Sequence, residues 1–436
     1  MTTIRSDVLV LGSTLGGLIA ANYLARAGLR VVLLEEEAHA KRPALLREPF
    51  LLSSLESGGR ITRVLRELAL PLIEQREIHR ERVALQVILP EARIDLLRGR
   101  DALARELAAH GLGDAKAIRS WLDAMDTRAA QTQAELWEKG GRAPARLLQR
   151  RSAAAASEVD LPPTPEGLEA FVRAQLSALC TLEAPAQAPA PALLLRTTRE
   201  GGFCMPHSEI SFLGLFRRRL ETLYGEIHQA GSFRLFSDRT EVAVELPRDQ
   251  IFARALVIAA PREPLRRFLA EAGSSPKWLK PSTMPLETPA RIFRADREYL
   301  PQGMASRVIR AEDDSPGALH WLARSPDPKD SRFDWIVASG PGARELPREN
   351  PLGGLAPFAG RGILPVGPGA TPRWDLDAGG LRFREAGIPV WLKHRPPVVC
   401  VGPELAPGLG FEGEVLCTRR VALDLAEWLG RRRRVV

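Results

Sequence analysis

The stretch from Asp7 to Glu35 constrains this chain more than any other. Val8 to Leu11 is a continuous apolar run of the kind that forms a parallel strand buried on both faces. Gly12 ends it. Leu18 to Ala27 is rich in good helix formers and closes at Gly28. Val31 to Leu34 forms a second buried strand with Glu35 at its carboxyl end. Strand, tight turn, helix, strand and acid together make a dinucleotide-binding unit. The first glycine permits the turn, and the helix N-terminus offers backbone N–H groups to a pyrophosphate. Gly17 lets helix and strand pack closely, and Glu35 is placed to accept from a ribose diol. Gly12, Ser13, Thr14, Gly16, Gly17 and Glu35 are therefore the first candidate binding residues. The fingerprint departs from G-x-G-x-x-G at its middle position, where Thr14 puts a side chain at the phosphate's approach.

A chain of 436 residues exceeds one ordinary core, so two domains are expected. The net charge of +8 permits anionic partners, but the cations are scattered through segments that also carry Glu. They read as solvated faces, and no nucleic-acid partner is expected. Cys180, Cys204, Cys400 and Cys417 make no C-x-x-C pair, which fits a reducing compartment and no zinc knuckle. Cys204 and His207 form a C-x-x-H without a second ligand pair, so no metal is expected. The first strand begins too early to leave room for a signal peptide, and no apolar run is long enough to span a bilayer. A cytoplasmic protein, in peripheral contact with membrane at most, is the expectation.

Beyond Glu35, residues 36 to 47 read as loop, with Arg42 a candidate partner for a nucleotide phosphate. Val83 to Leu89 and Ile94 to Leu97 read as strands. Asp101 and Asp114 are expected helix caps, and Thr164-Pro165 is expected to open a further helix. Low-complexity joints at 153–163 and 183–191 should be extended or mobile. Gly201-Gly202 restarts order, and Ser208 is expected to cap the next helix. Strands follow at 233–236, 241–246 and 255–260. From 265 to about 395 short apolar runs alternate with Pro, Gly and Asp, as in an antiparallel sheet. Pro276 to Lys280 mixes lysines with Trp278 and Leu279 and could touch a bilayer surface, although an ordinary loop fits it better. The end returns to strand, glycine-rich turn and helix, from Pro397 through Gly413 to Trp428, followed by a basic tail at 431–434 that could meet anionic lipid.

Three stretches together resemble one family. They are the N-terminal fingerprint with Glu35, the segment from Gly201 to Pro261, and the segment from Val399 to Ala422. In order and spacing they resemble FAD-dependent oxidoreductases of the phytoene (carotenoid) desaturase branch, within the amine-oxidase-like flavoproteins. The match covers roughly a third of the chain well. The resemblance implies an α/β fold. A Rossmann-like FAD-binding domain, discontinuous in sequence, would comprise residues 1–98, 196–265 and 396–436. A helical insertion would occupy 99–195, and a mixed-sheet substrate domain 266–395. It also implies bound FAD, with its adenosine near Glu35, its pyrophosphate at Gly12 to Gly17 and its ring near Phe411, Glu412 and Gly413. Gly402 and Glu404 would flank the ribityl chain. Pro403 stands where the family carries an acid, and Glu404 follows one residue late.

The implied substrate is apolar, an isoprenoid or other lipid-like alkene to be desaturated or isomerised. Amine oxidation fits less well, because none of the three tyrosines lies near the C-terminal motif. No residue is singled out as catalytic; His207 is the most tempting acid–base candidate, but a lone histidine before a helix is more often structural. Thr14 and Pro403 also fit an alternative, a non-catalytic flavoprotein-fold subunit that binds a protein partner. An NAD(P) dehydrogenase would leave the C-terminal glycine-rich motif unexplained.

Overall fold

In a computed structural model, described here for residues 2–41, 47–139, 163–179, 189–205, 211–280, 290–311, 318–324, 333–339, 352, 362–366, 373–374, 390–405 and 409–433, the N-terminal unit forms the centre of the first of two large sheets. Thr2–Leu11 lies between Asp249–Ile258 and Val31–Glu36 and runs parallel to both. The order across the sheet is Trp391–His394, Pro397–Cys400, Asp249–Ile258, Thr2–Leu11, Val31–Glu36 and Glu226–Ala230. All adjacent pairs are parallel except the outermost one at 391–400. A hairpin of Arg234–Ser237 and Val242–Glu245 joins by pairing its second strand antiparallel to Asp249–Ile258.

Alternation along the central strand explains why its apolar run is continuous. Val8 and Val10 enter one core cluster, and Leu9 and Leu11 enter another on the opposite face. The first cluster also holds the helix Leu15–Arg26, the C-terminal helix Gly410–Arg433 and the helices Ala115–Lys139 and Pro189–Glu200. The second is closed by Phe233, Phe268 and Trp374.

The second sheet has seven strands in the order Ile363–Pro365, Ala290–Asp296, Phe333–Ser339, Ala318–Arg324, Arg307–Arg310, Val83–Ile88 and Arg93–Leu97. It is antiparallel apart from the parallel pair of 307–310 with 83–88. The two strands at 83–97, expected within the dinucleotide-binding part, therefore belong to this sheet. Arg307 ties it to the first core cluster. Its buried guanidinium donates to the carbonyl oxygens of Phe50 (2.6 Å) and Phe203 (2.9 Å) and pairs with Glu81.

Several local expectations are corrected. The joint at 183–191 is expected to be extended or mobile, yet its described end is helical, within Pro189–Glu200. Pro189 and Pro191 fall in its first turn, where a missing N–H costs nothing, and Ala192 to Leu195 are buried. The helix expected from Thr164-Pro165 begins later, at Glu169, after Gly167 takes a positive φ. Residues 36–47 are not all loop, since Glu37–Ala40 is a short helix. Gly99, not Asp101, is the N-cap of Arg100–Ala109. The helix Phe212–Thr222 is capped by Ser211, whose hydroxyl accepts from Gly214 N; Ser208 lies outside the described residues. Strand Glu226–Ala230 was not foreseen, because its edge position leaves it polar. Asp114 does cap its helix, accepting from Lys116 N and Ala117 N. Leu279 is buried in the second cluster with Trp278 packed against it, so this pair turns inward. Among the described residues no helix is long and apolar enough to cross a membrane, and no cluster of His, Cys, Asp and Glu could hold a metal ion. His207 lies outside them.

Candidate dinucleotide site

The turn after the first strand is set by crowding. Gly12 has φ +102°, and a Cβ there would lie 2.6 Å from Ala260 N. At Gly17 a Cβ would lie 2.3 Å from Gly12 O and 2.7 Å from the Ala259 Cβ, so this glycine brings the helix Leu15–Arg26 onto the sheet. Thr14, the departure from the fingerprint, is the N-cap of that helix. Its hydroxyl accepts from Gly17 N and donates to Ala259 O, both at 3.3 Å. The threonine therefore does a capping residue's work at the place where the usual glycine would leave backbone bare.

Glu35 stands at the far end of the neighbouring strand and is fully buried. Ser13 Oγ donates to its Oε1 at 2.6 Å. Arg217, from the helix Phe212–Thr222, grips both oxygens at 2.9 and 3.0 Å, and Arg47 stands 3.7 Å away. This bidentate pairing supplies the buried carboxylate with its countercharge. Neither Arg217 nor Arg47 was anticipated; 182 residues separate Arg217 from Glu35, and nothing in either local pattern signals the contact. Arg42, the expected phosphate partner, lies outside the described residues.

The C-terminal motif approaches from the other side. Gly402 has φ +101°, and its N lies 2.8 Å from where a Gly16 Cβ would stand. Glu404 is buried, and its Oε2 accepts from Arg262 N at 3.2 Å, at the start of the helix Arg262–Glu271. It had been expected beside a ribityl chain. Pro407 and Gly408 are outside the described residues. The helix Gly410–Arg433 then begins with Phe411 buried in the first core cluster and Gly413 N donating to Leu409 O.

Two carboxylates lie near that helix start, Glu412 in its first turn and Glu414 just beyond it. Glu412 is fully buried; Ser54 Oγ donates to its Oε1 at 2.7 Å, Gln133 Nε2 donates to the same atom, and Oε2 has no hydrogen-bond partner among the described residues. Burial pushes its carboxyl up to about 7, against the opposing pull of Ser54 and Arg196. Glu414 is buried too, and its Oε1 accepts from Gly16 N at 2.7 Å. Burial likewise raises its carboxyl to about 7, only partly offset by that hydrogen bond. Sequence reasoning passed over Glu414. Its signal was an acid directly before an apolar run, Val415-Leu416-Cys417, that is itself buried.

The frame fits a dinucleotide. The Gly16 N–H at the helix N-terminus is an oxyanion donor in fact, since it already holds a carboxylate oxygen. That donor is met from within, as are the oxygens of Glu35.

Among solved structures the chain is similar to wild-type putrescine oxidase bound to putrescine (14% identity, 97% of this chain and 99% of that one, TM-score 0.51). It is similar to cyclohexylamine oxidase from Brevibacterium oxydans IH-35A (15% identity, 98% and 99% covered, TM-score 0.51). A third is an oxidoreductase from Methanosarcina mazei (14% identity, 95% and 99% covered, TM-score 0.53). No family model matches the sequence, and neither does any curated protein. These likenesses, together with the two sheets, establish the fold: a Rossmann-like α/β domain with an additional sheet domain.

Proposed function

We propose that the chain is an FAD-dependent oxidoreductase that desaturates or isomerises an apolar substrate, an isoprenoid or another lipid-like alkene. The observation that carries this reading is the convergence of both glycine-rich turns, Gly12 to Gly17 and Gly402, on one helix N-terminus within this fold. When bound, FAD supplies a hydride acceptor. The backbone at Gly16 and Gly17 would face its pyrophosphate, and Ser13 with the Glu35–Arg217 pair would border its adenosine. The start of the helix Gly410–Arg433 would favour negative charge near Phe411 and Gly413. Glu412 Oε2 is an atom at which a proton can be held near neutral pH. The apolar substrate follows from the resemblance of the C-terminal motif to the phytoene desaturase branch. The enzyme would be cytoplasmic, with its basic tail in contact with anionic membrane.

A second reading is favoured by the Glu414 carboxylate at Gly16 and by the closed pairing of Glu35. On it the chain is a non-catalytic subunit that keeps the flavoprotein fold and binds a protein partner. The deciding experiment is the visible spectrum of the freshly purified protein, with the released cofactor identified after denaturation. Stoichiometric FAD that is bleached anaerobically by a lipid-like alkene is the expected result. A colourless protein that takes up no added FAD would leave the second reading standing.

A further inference from the structure

Glu414 is an unusual acid in its surroundings. It is buried just beyond the first turn of the last helix, 398 residues from its partner, and no arginine, lysine or histidine pairs with it among the described residues. Its one hydrogen bond runs from Gly16 N, at the N-terminus of the helix that opens the dinucleotide unit. A Cβ on Gly16 would lie 2.8 Å from Glu414 Oε1, so glycine there is what lets an oxyanion approach the backbone. Gly402 and Thr14 enclose the same spot; the Gly402 Cβ position lies 3.9 Å from Glu414 Oε1 and 3.8 Å from Thr14 Oγ1. A carboxylate therefore occupies a small, anion-donating niche built from the backbone of both glycine-rich turns. Taking a carboxyl out of water with one N–H as compensation disfavours folding. A valine or leucine, like the neighbouring Val415 and Leu416, would fill the volume without that cost. The acid is accounted for by what it does to the niche.

We propose that Glu414 is an internal stand-in for the cofactor's pyrophosphate: it closes the phosphate subsite in the cofactor-free chain, and FAD must displace it to bind. The inference rests on the FAD reading above. One N–H cannot serve two oxyanions, and a pyrophosphate brought beside an unneutralised carboxylate meets like charge. Glu414 thus lowers the affinity for any ligand carrying that pyrophosphate and leaves the adenosine and ring contacts alone. Thr14 contributes by capping Gly17 N, which leaves Gly16 N as the donor contested between the two anions.

The test is a binding titration of the full-length protein, stripped of any cofactor, as wild type, Glu414→Gln and Glu414→Ala. FAD binding is followed by flavin fluorescence, and ADP-ribose, which carries the pyrophosphate without the flavin, by its shift of the thermal midpoint. Circular dichroism checks that each variant is folded. Glu414→Ala is expected to bind FAD at least tenfold more tightly than wild type and to show the same gain for ADP-ribose. Glu414→Gln, which keeps the shape and loses the charge, should fall between. Equal FAD affinity in wild type and both variants would overturn the stand-in role while leaving the FAD reading intact. Failure of all three folded proteins to bind FAD would overturn the FAD reading itself, and the stand-in role with it.

Discussion

The carboxylates buried around the two glycine-rich turns are held in opposite ways. At one end, Glu35 is sealed inside the sheet with a bidentate arginine, a second arginine and a serine hydroxyl around it. At the other end, Glu412 and Glu414 are as deeply buried with neutral donors only, two side chains for one and a single backbone N–H for the other. The first arrangement neutralises its charge and holds a fixed shape. The second leaves both carboxyls without a paired cation, and burial outweighs the pull of Arg196 on Glu412, so protonation there responds to pH near neutrality. One end therefore behaves as a structural anchor. The other behaves as a part that can change state.

The largest effect should come from breaking the anchor. Arg217→Ala leaves Glu35 buried without its fork and is expected to destabilise the fold by about 3–5 kcal/mol in denaturant unfolding. The next test concerns the opposite end. Glu412 and Glu414 sit near 7 when folded against an ordinary value of 4.5, so between those values the folded chain keeps protons that the unfolded chain has released. Their stabilising contribution is full below about pH 4.5 and is lost as the pH rises through 7. Stability should fall over that window, and Glu412→Gln or Glu414→Gln should each flatten the fall by something on the order of 3 kcal/mol. Arg217→Ala should not flatten it, and that contrast is the sharpest form of the comparison. Gly17→Ala strikes the frame common to both ends, where the new methyl meets Gly12 O, and should cost about 1–3 kcal/mol by the same unfolding measurement. Ser13→Ala removes one donor from an anchor that keeps its arginines and should cost only about 1 kcal/mol.

What could be read in advance follows how locally it is encoded. Val8 to Leu11, Gly12, Gly17 and Val31 to Leu34 announce themselves because strand, turn and close packing each impose a short-range rule, and the central parallel strands stand where that rule puts them. The short apolar runs at 291–293, 318–322 and 335–338, set off by Pro, Gly and Asp, likewise announce strands of a second sheet. The helix Pro189–Glu200 was hidden because alanine and proline read as a flexible joint, while burial of Leu193 and Leu194 decides the matter. Strand Glu226–Ala230 was hidden by its polar edge. The site itself was half legible. The glycines were visible from spacing, but the Arg217–Glu35 and Glu414–Gly16 pairs join residues 182 and 398 positions apart, a distance over which no periodicity speaks.

Arg307 has a consequence for how this molecule comes apart. Its guanidinium belongs to a strand of the second sheet, yet its hydrogens are received by carbonyls of Phe50 and Phe203, whose side chains lie in the core under the first sheet. Separating the sheets would strand a buried cation. The amides of Val308 and Ile309 should therefore exchange with solvent deuterium at the same slow rate as those of Leu9 and Val10, in one cooperative opening that takes in both sheets.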